Sequence, residues 1–535
     1  MLWTEKAKKY LKKYWKIKEL KDKQIEVINE LLLGNDVIGL LPTGYGKSMC
    51  YLIPPLVTKK VMFIISPLIS LMDDQKDKLN KMAIPCAALH GNNKNKDQEI
   101  FKIMDGEIKI VYMSPEYLIK SDGLELAKNL IDENMLGFLA VDESHCISVW
   151  GQDFRPEYTK INTFREMFPD IPILAVTATA TDNVCHDITK MLQLNNPILV
   201  RASFDRPNLY LKVQEIPTIT SVEKPKRGTK LKTVQRQMPK EDLAIGWIKK
   251  YPNEKIIIYT NSRKDTEELS IGLNKIINGC CEAYHAGLSK ELREKIQGRF
   301  IEGEIKVIVS TIAFGMGIDQ IVSCVIIFGA PSSIEEYYQQ IGRGGRDGKQ
   351  CETILYFDYA NLMIGKYMLK DIKFKFPMLH KCKLNNLNKI GSFAYINTCR
   401  RKFILEHFNE SCNFFTCNNC DNCCETELVD ITDKVWPIIM KPGSHILGVV
   451  NEIRNKYLTE INIIDKNNKD KVIELDLMDP LWKWKVWIQE NKITKDKIPE
   501  ELKIKIPKKF VKVDKPVNEK SFDDKISLYE KLLNF

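Results

Sequence analysis

Leu40-Leu41-Pro42-Thr43-Gly44-Tyr45-Gly46-Lys47-Ser48 decides how this chain is read. An apolar run (Val37, Ile38, Leu40) precedes it and reads as a buried strand; Met49 to Ile53 can begin a helix. Strand, glycine loop, Lys-Ser and helix form the architecture of a phosphate-binding loop. Glycines let the backbone wrap a polyphosphate, and free N–H groups at the helix start point at the anion. Lys47 would reach the outer phosphates of ATP and Ser48 would hold Mg²⁺, with Thr43, Gly44 and Gly46 lining the cradle. The strict pattern G-x-x-x-x-G-K-[ST] wants glycine where Leu41 stands. On this stretch alone, a plain glycine-rich strand-to-helix turn remains the alternative.

Bulk properties narrow the class. A chain of 535 residues is too long for one core, so three or four domains are expected. Hydrophobic content of 44% with 28% charged residues describes a globular protein. There is no run of about 18 apolar residues, so no membrane span is expected. Met1 to Lys23 holds nine lysines but no apolar segment, which is unlike a secretory signal. Fifteen cysteines then point to a reducing, intracellular setting with free or metal-bound thiols. The net charge of +10 favours a polyanionic partner, weakly.

Outward from the loop, the pattern is one of alternating strands and helices. Gln24 sits in a helical stretch 23 residues before Lys47 and is either an adenine-reading amide or a surface residue. Val61–Ile65 ends in Ser66-Pro67, and Val111–Met113 ends in Ser114-Pro115; hydroxyls at the ends of parallel strands sit where such sheets bind ligands. Phe138-Leu139-Ala140-Val141 runs into Asp142-Glu143-Ser144-His145. At a strand end the first carboxylate suits Mg²⁺ and the second suits a general base. Trp150, Phe154 and Tyr158, around Arg155, are either a loop core or a stacking surface for bases.

Together with Thr177–Ala180 and Ser203–Leu209, these segments resemble the RecQ family of DNA helicases, in superfamily 2, over about residues 10–425. The run Asp142 to Tyr158 carries most of the resemblance. It implies that the loop tolerates Leu41, that Gln24 reads adenine, and that Ser66, Pro67, Trp150, Phe154 and Arg155 touch nucleic acid. Lys21 replaces an arginine of the family pattern and lacks its planar stacking face. The fold expected is α/β, with two RecA-like parallel-sheet domains (1–208 and 209–360), a zinc module (361–425) and a winged-helix-like domain (426–535). Within the second, 209–240 reads as a linker or insertion; the family's further C-terminal helical domain is expected to be absent.

In the second half, Ile256–Tyr259 leads to Ser262 and Arg263, suited to backbone phosphates. His285 reads as structural or as a phosphate contact. Val307–Thr311 leads to Asp319; the resemblance assigns Thr311 to nucleic acid and Asp319 to the nucleotide, although Gln320-Ile321-Val322 departs from the family run. In Tyr337–Gly348, Arg346 is the expected arginine finger, assisted by Arg343. Cys399, Cys417, Cys420 and Cys423 have spacing that fits tetrahedral Zn²⁺, with Cys412 and Cys424 as spare thiols. Trp482, Trp484 and Trp487 are either packing or stacking residues.

The function implied is ATP- and Mg²⁺-dependent 3′-to-5′ movement on single-stranded DNA with separation of duplex or branched DNA, with no membrane partner; the sequence leaves the oligomeric state open, a monomer being plausible. The rivals are an RNA-acting or remodelling ATPase and a non-catalytic annealing protein.

Overall fold

The computed structural model describes residues 2–148, 155–223, 232–277, 279, 281–312, 314, 320–374, 376–396, 398–412, 414, 416–424, 428–430, 436 and 505–507. Trp150, Phe154, Asp319, the three tail tryptophans and nearly all of the expected winged-helix segment lie outside the described residues. The chain forms two compact units, Met1–Ala394 with Cys399–Asp421, and Tyr395–Thr398 with Asn422–Phe535. In the second, Asn422 Nδ2 donates to the carbonyls of Ile396 (2.9 Å) and Thr398 (2.8 Å). There Leu428–Asp430 also pairs antiparallel with Lys505–Pro507.

The first unit holds two parallel sheets. Strands β1 (Val37–Leu40), β2 (Val61–Ile65), β3 (Cys86–Leu89), β4 (Ile110–Met113), β5 (Leu136–Val141), β6 (Ile173–Thr177) and β7 (Ile198–Arg201) stand in the order β3-β4-β2-β5-β6-β1-β7. Most are short runs of branched and apolar residues buried along their whole length, as parallel strands covered by helices on both faces must be. Leu41 carries β1 one step further: its N–H donates to Thr177 O at 3.0 Å and its side chain is fully buried. That position is a core position here, which is why it need not be glycine.

The second sheet contains β8 (Leu209–Glu215), β11 (Ile256–Tyr259), β12 (Cys281–Tyr284), β13 (Val307–Ser310), β14 (Cys324–Phe328) and β15 (Cys351–Phe357), in the order β12-β13-β11-β14-β15-β8. Matched strand for strand, this repeats the first sheet without its last edge. The repeat reaches individual side chains. Asn80 accepts from Cys86 N at 3.1 Å, and Asn274 accepts from Cys281 N at 3.1 Å. Just past β3, His90 takes Asn92 N on Nδ1 and bonds Asp73 through Nε2 (3.1 Å). Just past β12, His285 takes Gly287 N on Nδ1 and bonds Glu267 through Nε2 (2.9 Å). His285 thereby has a structural role.

The stretch 209–240, expected as a linker or insertion, forms strands in its described residues. Its first part is β8, and Thr218–Glu223 (β9) pairs antiparallel with Lys232–Gln237 (β10) as a two-stranded ribbon. Thr218, Ile219, Thr220 and Val222 are β-branched, which suits a strand, and the Met238 N–H to Pro217 O bond (2.7 Å) closes the base of the ribbon. Basic composition and flanking prolines obscure this strand signal in the sequence.

Asp36 pins the amino-terminal ends of three strands. Its carboxylate accepts from Arg165 Nη2 (2.6 Å), Ile173 N (2.8 Å) and Asn195 N (2.7 Å), and its carbonyl from Ile198 N (2.8 Å). Both members of the ion pair are buried. Asp36→Ala would strand a buried guanidinium and two N–H groups, so we expect a loss of about 3–5 kcal/mol. The readout is the urea midpoint of the purified variant; an unchanged midpoint would contradict this account.

Candidate active site

A cleft of about 940 Å³ opens at the carboxyl ends of the strands and is lined from both sheets. Gln24, Thr43, Gly44, Gly46, Lys47, Ser48, Asp142 and Glu143 line it from the first half, and Arg343 and Arg346 from the second. The loop's shape follows from two glycines. Gly44 (φ +81) and Gly46 (φ +91) take left-handed backbone conformations that side chains disfavour. A Cβ on Gly46 would lie 2.6 Å from Gln24 Nε2. Gln24 is buried, and its amide is committed to the loop: Nε2 donates to Tyr45 O (3.0 Å) and Gly46 O (2.9 Å), while Oε1 accepts from Lys21 N (2.8 Å). Reading adenine would require this amide to exchange those partners. Lys21 lies with its ammonium 4.6 Å from the centre of the Tyr45 ring.

Past the loop, Ser48 opens the helix Ser48–Thr58, and Tyr51, one turn on, donates its hydroxyl to Asp142 Oδ2 at 3.2 Å. Asp142 Oδ1 accepts from Glu143 N at 3.0 Å. Glu143 is held at φ +47, an uncommon conformation for a residue other than glycine. That twist turns its carboxylate between Lys47 Nζ (3.5 Å from Oε1) and His145 Nδ1 (3.4 Å from Oε2). His145 also meets Thr177 Oγ1 at 2.8 Å, so the Thr177–Ala180 segment supports the carboxylate pair from below.

The electrostatics separate the two acids. Burial, reinforced by the neighbouring Glu143 charge, raises Asp142 to about 6. Burial pushes Glu143 up as well, but Lys47, His145 and Arg343 outweigh it and its pKa is lowered. Glu143 is therefore the more acidic of the two, and Asp142 holds its proton up to about pH 6. Burial lowers the Arg343 pKa, and Tyr259 partly opposes this. Arg346 packs along the loop, 3.5 Å from where a Cβ on Gly44 would stand.

Ser66, Pro67 and Arg155 line the same cleft, with an Arg155 Nη1 to Pro67 O bond. Ser66 Oγ is buried without a hydrogen-bond partner among the described residues. Three other expected contacts do not line it. Ser262 caps its helix through Oγ, accepting from Asp265 N (3.0 Å); Arg263 lies against Gly287; Thr311 follows β13 and accepts at its carbonyl from Ser310 Oγ (2.7 Å). Sequence reading missed Tyr51 and Tyr259. For Tyr51 a signal existed, since Ser48 and Tyr51 are three apart and share a helix face.

The thiols of Cys399, Cys417, Cys420 and Cys423 all lie within 4.8 Å of one another. Tetrahedral zinc with Zn–S near 2.3 Å needs sulfurs about 3.8 Å apart, so the set fits the ion. Backbone N–H groups of Lys402 and Asn419 point at Cys399 Sγ (3.5 Å) and Cys417 Sγ (3.4 Å). Cys412 and Cys424 stand outside the cluster. Behind it, buried Arg400 is forked onto Asp421 and donates to Phe393 O (2.6 Å).

Three family models match the chain in order: DEAD/DEAH box helicase over residues 21–188, helicase conserved C-terminal domain over 236–348, and RecQ zinc-binding over 367–424. A putative ATP-dependent RNA helicase of Acanthamoeba polyphaga mimivirus is 40% identical over 487 residues, 88% of this chain and 84% of that protein. The ATP-dependent DNA helicase RecQ of Haemophilus influenzae is 36% identical over 452 residues, 82% of this chain and 68% of that protein. The structure of the helicase MrfA bound to DNA superposes with a TM-score of 0.53 at 17% identity, over 73% of this chain and 56% of that one, a likeness of fold.

Two outcomes follow from this geometry. At pH 8 the ionised Asp142 costs folding stability, because its folded pKa is raised; that cost fades as pH falls through about 6. Asp142→Asn should therefore melt higher than the parent at pH 8, with the gap narrowing below pH 6 and closing only near pH 4; a lower melting temperature at pH 8 would refute the assignment. Cys420→Ser should yield protein without stoichiometric zinc by metal analysis, and a soluble, zinc-replete variant would remove Cys420 from the ligand set.

Proposed function

Because the chain belongs to the RecQ family of ATP-dependent helicases, we propose that it moves 3′ to 5′ along single-stranded DNA and parts duplex or branched DNA during recombination, repair or replication. The observation that carries this reading is that Lys47, Asp142, Glu143, Arg343 and Arg346 line one cleft, although they come from different sheets. ATP bound there would present its outer phosphates to Lys47, whose ammonium otherwise pairs with Glu143. Drawing Lys47 toward phosphate leaves the Glu143 carboxylate free to orient and deprotonate the attacking water. Arg346, with Arg343 beside it, meets the charge that builds on the transferring phosphoryl group, a contribution of about 10³–10⁵ in rate for such arginines. Ser48 and Asp142 would hold Mg²⁺, which would supply charge neutralisation for the phosphates.

Since one side of the site belongs to each sheet, the charge state of the nucleotide sets how tightly the cleft closes. Alternate closing and opening, with nucleic acid held along the carboxyl edges by groups such as Ser66, Arg155 and Arg263, gives stepwise travel. The grip is largely on phosphates, so binding should weaken steeply with salt. The direction of travel comes from the family resemblance. Four clustered thiols would fill the tetrahedral shell of zinc and leave no open position, which supports a structural role for the zinc module.

A second reading, action on RNA, is favoured by one observation: the mimivirus relative at 40% identity carries the name of an RNA helicase.

Strand displacement on DNA and RNA duplexes bearing 3′ or 5′ tails separates the readings. Displacement of the 3′-tailed DNA alone is expected; RNA displacement without DNA displacement would overturn the proposal. Glu143→Gln should bind ATP yet turn it over about 10²–10⁴-fold more slowly, and near-normal turnover would remove Glu143 as the base.

A further inference from the structure

The strap Ser203-Phe204-Asp205-Arg206-Pro207-Asn208 joins β7 to β8 and so carries the chain from one sheet to the other. Its arginine is aimed at main chain. Arg206 Nη2 donates to Gly344 O (2.9 Å) and Gly345 O (3.1 Å), and Nη1 to Thr43 O (3.4 Å). Gly344 and Gly345 are the residues between Arg343 and Arg346; Thr43 is the loop residue before Gly44, against which Arg346 packs. One guanidinium thus holds the backbone of both loops that face each other across the cleft.

We infer that Arg206 is a positioning residue for hydrolysis, setting where Arg343 and Arg346 stand relative to the phosphate loop. The inference rests on the cleft being the ATP site proposed above. Three observations support it. First, the strap is fixed to the second sheet: Asn208 Nδ2 donates to Gly345 O and Lys349 O (both 2.8 Å), and Cys351 N donates to Asn208 O (2.9 Å). Arg206 therefore travels with the finger turn and reaches across to Thr43, so the 3.4 Å bond is the one that opening breaks first. Second, Gly345 turns at φ +56, and Arg206 and Asn208 converge on its carbonyl, which holds the finger turn in a conformation that favours glycine. Third, a guanidinium fork can serve acceptors on two loops at once, whereas an ammonium acts as a single point. Neither Arg206 nor its acceptors need touch the substrate for a displacement to matter. A shift of about 1 Å in a catalytic group can cost about 10²-fold in rate.

The test is a double-variant cycle in the full chain, read by release of radiolabelled phosphate with saturating single-stranded DNA, alongside Kd for a fluorescent ATP analogue and the melting temperature. Arg206→Ala should lower kcat by about 10²-fold while nucleotide Kd changes little, and Arg206→Lys should not restore it. If Arg206 acts through the finger, adding Arg206→Ala to Arg346→Ala should cost nothing further. Multiplying losses in the double variant, or a kcat for Arg206→Ala close to the parent's, would overturn the inference. Should the alanine variant melt below the assay temperature, Arg206→Gln is read by the same criteria. A parent chain that hydrolyses no ATP would sink the function proposed above; normal parent turnover with indifferent Arg206 variants sinks this inference alone.

Discussion

Charges buried together at the floor of the cleft constrain everything built around them. Asp142 and Glu143 are adjacent in sequence, shielded from water, and cannot both ionise cheaply. The fold resolves the conflict by setting Lys47, His145 and Arg343 around Glu143, while Asp142 has a hydroxyl and a backbone N–H as its hydrogen-bond donors. Glu143, at its unusual φ, has its carboxylate between Lys47 and His145. Those two neighbours come from the first sheet, but Arg343 arrives from the second. The electrostatic balance of the site is complete only when the two sheets face each other.

The sheets are copies of one plan, and the copy explains where function went. In each, the third strand ends in a histidine locked between a backbone N–H and a carboxylate on the preceding helix. The lock is the same in both, so it serves the scaffold. What differs is the loop after the first strand. The first copy turns there through Gly44 and Gly46 into Lys47, and the second proceeds from β8 into the β9–β10 ribbon. One copy therefore keeps the phosphate loop, and the other contributes arginines to it.

Much of this was legible beforehand. Val61–Ile65, Phe138–Val141 and Ile256–Tyr259 read as buried strands because parallel strands covered on both faces are apolar throughout. Loop, carboxylates and arginines, which line one cleft, stood out because phosphate chemistry tolerates few residue types at those spacings. Other features did not, for physical reasons. The commitment of Gln24 to the loop backbone depends on a carbonyl 22 positions away, which no local pattern reports. The ribbon at 218–237 hid behind lysines and prolines. The duplication was visible in Leu79-Asn80-Lys81 with Cys86 and His90, against Leu273-Asn274-Lys275 with Cys281 and His285, but it emerges only when the halves are laid side by side.

The strap between the sheets is also braced from its other flank. Phe204 stacks on Phe408 with ring centres 4.4 Å apart, Glu410 accepts from Phe204 N (2.7 Å), and Arg401 is ion-paired with Asp205. Those partners sit on and just past the helix that begins at Cys399, the first of the four clustered thiols. If zinc occupies those thiols, as proposed, its loss would do more than unravel a peripheral knot: it would loosen the bracing of the strap that joins the two sheets.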